Sequence, residues 1–162
     1  MRRSGMLLHI TSLPEPGGVG TLGQAAYDFI DFLHDAGMKI WQVLPVGPTG
    51  YGESPYQSAS TYAGNLLLID MKMLEREGLL PVDAFEELPD GDQVDFDVVR
   101  NQKERLLHQA FHSRDFSVEM QTFANDQPWV EEFAFFMAIK NILAVDLGRN
   151  GRMNLECAKK KP

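Results

Sequence analysis

The sequence predicts an α/β fold built on parallel strands. Three observations carry that prediction: two short apolar runs, a helix-periodic segment between them, and a long polar, aromatic loop after the second run. The first run, residues 6–10, lies between Gly5 and a cluster of Pro14, Pro16, Gly17 and Gly18, the pattern of a buried strand closed by a loop. Across 24–36, Ala26, Phe29, Ile30, Leu33 and Ala36 recur at helical spacing, with Asp28, Asp31 and Asp35 on the opposite face. Gly37 is the natural stop for that helix. The second run, 40–46, is nearly continuous in its hydrophobicity, which suits a parallel strand covered on both faces. Its distance from the first run rules out a hairpin, and the intervening helix supplies the crossover that parallel pairing needs.

A third apolar run at 66–69, ending in Asp70, is expected to be another strand. Residues 71–80 read as a short helix ending near Gly78, and 81–97 are acidic with little periodicity. Apolar pairs at Val98 and Val99, Leu106 and Leu107, and Ala110 and Phe111 give a helical stripe over 98–111. Another helix is expected to start at Pro128, with Glu131 and Glu132 in a first turn where the helix dipole favours negative charge.

Composition excludes several partners. The chain has 162 residues, enough for a sizeable core, and a formal net charge of −8, which opposes binding to nucleic acid or to an anionic membrane surface. One cysteine, Cys157, cannot form an internal disulfide, and four scattered histidines without a CxxC pair give a metal cluster little support. A cytoplasmic setting is the expectation. Arg2 and Arg3 precede the apolar run at 6–10, but five residues with His9 among them are too few for a signal peptide, and no apolar stretch is long enough to span a bilayer. A soluble protein is expected.

Gly18, Gly20 and Gly23 spell GxGxxG between a strand and a helix, which invites a dinucleotide-binding reading. The context opposes it. Seven residues, 11–17, separate the run at 6–10 from the first glycine, where the nucleotide fold turns tightly off its strand. The second strand also runs into Pro45, Val46, Gly47 and Pro48 instead of an acidic residue for a ribose. Glycines that let a loop turn into a helix are the simpler explanation.

The loop 47–65, GPTGYGESPYQSASTYAGN, sets three tyrosines among hydroxyl, amide and carboxyl side chains. Tyrosine faces can cover the apolar C–H faces of a sugar ring, and Ser, Gln, Asn and Glu can satisfy its hydroxyls. Loops that follow parallel barrel strands are also where ligands bind. On composition alone the segment reads equally as a plain surface connection or as a ligand loop.

Three segments together resemble the opening of the amylomaltases, the 4-α-glucanotransferase or disproportionating-enzyme family: SGMLLHITSLPEPGGVGTLGQAAYDFIDFLHDAG at 4–37, WQVLPVGPTGYGESPYQSASTYAGN at 41–65 and LLID at 67–70. The likeness is nearly unbroken to about Leu80, resumes more weakly over 96–111, and returns in PWVEEFAFFMAIKN at 128–141. It implies the N-terminal part of a (β/α)8 TIM barrel with an inserted subdomain: barrel units over 4–80, a mostly helical insertion over 81–141, and a tail over 142–162. It also implies an enzyme that needs no cofactor and transfers α-1,4-glucan segments between maltodextrins in starch or glycogen metabolism. Tyr56 matches an aromatic residue of the innermost donor-sugar site, Ser54 its neighbour there, and Tyr51 an aromatic residue at a secondary glucan groove. The resemblance implies that all three bind substrate and that none is catalytic. Glu53 stands where many members of the family have Asp, and is read as loop support.

The family's three catalytic carboxylates follow later barrel strands, which this chain is not expected to contain, and Asp70 is assigned a structural role. The tail departs from the family pattern. Where the family continues His-Phe-Gly-Gly, then Ser-Trp one residue later, this chain reads ILAVDLGRNGRMNLECAKKKP, and a one-base shift near Asn141 can convert one reading into the other. A frameshift is therefore the expectation for 142–162. A barrel needs eight strands over about 250 residues, so uncovered strand edges, poor independent folding and no transferase activity are expected of this chain. Two alternatives stand beside transfer: a non-catalytic glucan-binding module, and a fragment that folds with a separately encoded C-terminal part.

Overall fold

The computed structural model describes residues 2–88 and 93–150, without the side chains of Tyr51 and of 143–150. Expectations for 151–162 lie outside the described residues. Contacts divide the chain into a unit over 1–117 and a second over 118–162.

The first unit begins with a parallel strand pair. Strand β1, Gly5–Leu7, lies beside β2, Ile40–Gln42, with Gly5 opposite Ile40 and Leu7 opposite Gln42. The approach at Gly5 is close enough that a Cβ there would lie 2.5 Å from the Ile40 carbonyl oxygen. Both strands are shorter than the apolar runs that announce them. The Leu8 amide still donates to the Gln42 carbonyl at 3.1 Å, after which the chain coils into a 3-10 turn, Ile10–Ser12. That turn carries Ile10 into the core.

Helix α1, Gln24–Asp35, buries Ala26 and Leu33 and rests Phe29 edge-on against Trp41, ring centres 5.0 Å apart. It ends as expected at Gly37, whose φ of 71° is the left-handed cap conformation. There Gly37 N donates to His34 O and Met38 N to Leu33 O, both at 2.9 Å, the double closure that only a left-handed residue permits. Helix α2, Met71–Arg76, repeats the device at Gly78, φ 73°. Asp70 starts α2, its carboxylate accepting from Lys72 N at 2.8 Å, a capping role that agrees with its structural assignment.

The expected strand at 66–69 is not one. Leu66–Leu68 is a 3-10 turn started by Asn65, whose side chain accepts from Leu67 N at 3.0 Å. Leu67 enters one apolar cluster, with Val19 and Val99, and Leu68 another, with Ile10, Leu13 and Ala26. An apolar run buried on two sides has the composition of a central strand without needing a strand's pairing.

Helix α3, Phe96–Phe111, is capped by Asp95, which accepts from Asp97 N and Val98 N at 3.1 Å. It buries Val99, Lys103, Leu106 and Ala110, one side of the helix, and a third cluster joins Leu106 and Ala110 to Met71 and Leu80. In the second unit α4, Ser117–Asp126, and α5, Trp129–Asn150, meet through Trp129, which lies edge-on to Phe123 at 6.4 Å. No helix among the described residues is long and apolar enough to cross a membrane.

Candidate functional site

The loop 47–65 leaves β2 and returns to the core at Asn65, whose backbone N–H closes its base by donating to Val46 O at 2.9 Å. Two tight turns shape its first half. Glu53 N donates to Gly50 O and Gln57 N to Ser54 O, both at 3.2 Å. Gly50 packs so near the second turn that a Cβ would stand 2.5 Å from Gln57 O. Between them Gly52 and Glu53 both adopt left-handed backbone, at φ 66° and 55°, a conformation uncommon for a residue with a side chain.

The sequence-predicted residues lie along this turn pair. Tyr51 opens the 3-10 turn Tyr51–Glu53, Ser54 is half-buried, and Tyr56 stands out from the surface at 73% exposure. A tyrosine face presented in this way is available to the apolar face of a ligand ring. Farther along, Ser60 Oγ accepts from Tyr62 N and Ala63 N at 3.2 and 3.1 Å, so the second half of the loop also folds on its own side chains.

Glu53 is not a free carboxylate. Nη2 of Arg100, on α3, lies 2.6 and 2.7 Å from its two oxygens and 3.3 Å from Thr49 Oγ1, and the Thr49 hydroxyl itself donates to Glu53. Sequence reasoning did not find Arg100. A lone arginine on a helix resembles a solvated charge, and its partner is 47 residues away.

Beneath the loop lies a cavity of about 200 Å³ whose polar lining includes His9, Thr11, Ser12, Thr49, Glu53 and Asn65. Burial pushes the His9 imidazole below its usual range, favouring the neutral ring, and its Nδ1 is buried with no hydrogen-bond partner among the described residues. Apart from Glu53, which Arg100 engages, imidazole, hydroxyls and an amide make up this polar lining and suit an uncharged, hydroxyl-rich ligand.

A second polar group lies in the core. Lys103, 1% exposed, donates to Leu67 O at 2.5 Å and Ile69 O at 2.9 Å, and burial holds its ammonium down to about 8. The Glu15 carboxylate receives the Thr21 hydroxyl at 2.8 Å on both oxygens, while burial raises its affinity for a proton. These contacts serve the interior. No group of three or more metal-binding side chains occurs among the described residues.

Comparison with known proteins supplies a family. Residues 8–148 match the profile described as 4-alpha-glucanotransferase. The 4-alpha-glucanotransferase of Clostridium butyricum is 41% identical over 139 residues, 82% of this chain and 28% of the relative. That of Thermus thermophilus is 44% identical over 146 residues, 86% of this chain and 29% of the relative. Among solved structures, an amylomaltase from Streptococcus agalactiae in complex with acarbose superposes with a TM-score of 0.80 at 40% identity, over 87% of this chain and 30% of that one. The chain thus spans less than a third of the length of the relatives it matches.

Proposed function

The chain belongs to the 4-alpha-glucanotransferase family, and from that premise we propose that it supplies the glucan-contacting N-terminal part of an enzyme that moves α-1,4-glucan segments between maltodextrins. The observation that carries the site is the exposed Tyr56 on a loop whose turns are held by backbone bonds and by Arg100. Tyr56 stacks on a sugar ring, Ser54 bonds a hydroxyl beside it, and Tyr51 contacts glucan farther along the loop. The similar amylomaltase was solved in complex with acarbose, which supports a glucan-like ligand for the family.

Transfer itself follows a retaining double displacement. A carboxylate attacks the anomeric carbon of the donor sugar while a second carboxyl group, about 5–5.5 Å away, protonates the departing glycosidic oxygen. The 4-hydroxyl of an acceptor sugar, giving its proton to that second group, then attacks the anomeric carbon and releases the first carboxylate. Residues outside this chain supply both groups: Glu53 is engaged by Arg100, and Asp70 caps α2. In this proposal β1, α1 and β2 are the first elements of a (β/α)8 barrel, the helical stretch after residue 80 is inserted into it, and the protein works in the cytoplasm without a cofactor.

Two assays test the reading. The purified chain releases no glucose from maltotriose; release above a mock preparation would contradict the assignment of chemistry to other residues. It binds maltoheptaose saturably, and Tyr56→Ala weakens binding by about 1 kcal/mol, roughly fivefold in Kd. Absence of saturable binding would remove the glucan role from the loop.

A second reading, a part that folds fully with a separately encoded C-terminal piece, is favoured by the exposed strand residues Leu7 and Ile40 and by the exposed Val43 and Val46 just after β2. Its check is co-expression with the product of a neighbouring open reading frame. A stable complex with glucose-releasing activity supports it, and the absence of any complex refutes it.

A further inference from the structure

We propose that Arg100 is the positioning residue of the candidate glucan loop, acting through Glu53 to fix where Ser54 and Tyr56 point; this rests on the reading of that loop as a glucan site. The loop needs such a brace. Gly52 and Glu53 are both left-handed, and a side-chain-bearing residue stays there only when its surroundings over-determine it. The turn bonds Glu53 N to Gly50 O and Gln57 N to Ser54 O shape the tip without tying it to the body of the unit. Arg100 provides that tie across 47 residues of sequence, and its contacts with Glu53 and Thr49 hold both sides of the Gly50–Gly52 turn.

Ser54 and Tyr56 follow Glu53 by one and three residues, so rotation of the Glu53 backbone swings both. One turn along the same helix, Lys103 grips the carbonyls of Leu67 and Ile69 just beyond the loop's far end at Asn65. Helix α3 therefore holds the loop near both ends, through two cations three positions apart. The Arg100–Glu53 pair is partly exposed, with side chains 31% and 19% accessible, so its contribution to global stability is small and its effect is local. All three Arg100 bonds use one nitrogen, Nη2, so a lysine ammonium can replace them as a point charge.

The experiment compares the native chain, Arg100→Gln, Arg100→Lys and the exposed control Asn101→Ala. Hydrogen exchange at the Glu53 and Gln57 amides and the Kd for maltoheptaose are the readouts, and circular dichroism monitors the fold. Arg100→Gln is expected to speed exchange at both amides and to weaken binding, each by about tenfold, while exchange in α1 stays unchanged. Arg100→Lys restores most of both, and Asn101→Ala changes neither. Unchanged exchange at Glu53 and Gln57 in Arg100→Gln overturns the proposal, as does unchanged glucan binding in a chain whose loop has loosened. Failure of Arg100→Lys to recover either readout also overturns it, and does so even if Arg100→Gln loses its fold. If the native chain binds no maltoheptaose while exchange still responds to Arg100→Gln, the glucan reading fails and the brace itself stands.

Discussion

Lys103 makes the stability of this chain depend on alkali in a calculable way. Its ammonium is buried and held down to about 8 from the ordinary 10.5, because loss of solvation outweighs the attraction of Glu15 and Asp70. Between these two values the unfolded chain binds the proton and the folded chain releases it, so stability rises with pH. Below about 8 both states are protonated and the burial penalty is present in full; above 10.5 both are neutral and it is absent. The difference of about 2.5 units at 1.36 kcal/mol per unit amounts to about 3 kcal/mol. Deprotonation does not break the local structure, because a neutral amine keeps two N–H groups for the two carbonyls of Leu67 and Ile69. The perturbation is Lys103→Met, which removes the titration at similar volume. In urea unfolding of dilute chain at pH 7 and pH 11, the stability of the native chain relative to Lys103→Met should rise by about 3 kcal/mol. Tyrosines and exposed lysines titrate in both proteins and drop out of the difference. Parallel pH dependences would refute the reasoning, as would an NMR titration in which the Lys103 Cε resonance moves together with those of exposed lysines.

Four further outcomes follow from packing and burial. Leu106, 0% exposed on α3 where it packs in one cluster with Met71 of α2, should cost about 3 kcal/mol as Leu106→Ala in the same unfolding assay. Gly20→Ala should cost about as much, because a Cβ there overlaps the Ile10 carbonyl oxygen and meets Leu13 N at 2.8 Å. Gly64→Ala, in open space and without positive φ, should be neutral or stabilising by about 0.5 kcal/mol. Burial holds His9 below its usual range, so the unfolded chain takes up that proton first as pH falls through about 6.5, and stability is lost on the acid side. Unfolding midpoints at pH 7.5 and pH 5 should therefore lie farther apart in the native chain than in His9→Phe.

The features legible in the sequence are those fixed by neighbours in the chain. Gly37 and Gly78 marked helix ends because a left-handed cap is a property of a few residues. The β1–α1–β2 order was legible because apolar period and crossover length are both local. The error at 66–69 arose because four apolar residues have no period, and the useful signal was Asn65, a capping residue directly before the run. The helix at 117–126 went unforeseen because its polar and apolar residues show no sustained stripe and it buries none of them. In the GxGxxG motif the glycines serve packing. Gly18 supplies a φ of 76°, Gly20 lies against the Ile10 carbonyl, and Gly23 lies against the Asp70 carboxylate. In the site, Ser54 and Tyr56 stood out through the composition of their loop. Arg100 did not, because its role exists only after folding has closed 47 residues of chain.

The distribution of exposed apolar groups bears on which part of the proposed function this chain can test. Parallel sheets are normally covered on both faces, and a central strand is paired on both edges. Among the described residues β1 pairs only with β2, and Leu7 remains 58% exposed, with Ile40, Val43 and Val46 also exposed. Phe32 and Ile30 on α1 are also open to solvent, although the same helix covers Trp41 with Phe29. Uncovered apolar surface thus includes the strands and the outer side of α1, where the proposal packs additional barrel elements, and it continues on the later helices at Phe111, Phe123 and Phe135. The loop 47–65 exposes Tyr56 and Tyr62, each at 73%, yet Arg100 and its own turn bonds hold its backbone from within the first unit. The proposed glucan contact can therefore be tested on this chain by itself. Glucan transfer requires carboxylates and strand neighbours that the proposal assigns to residues beyond it.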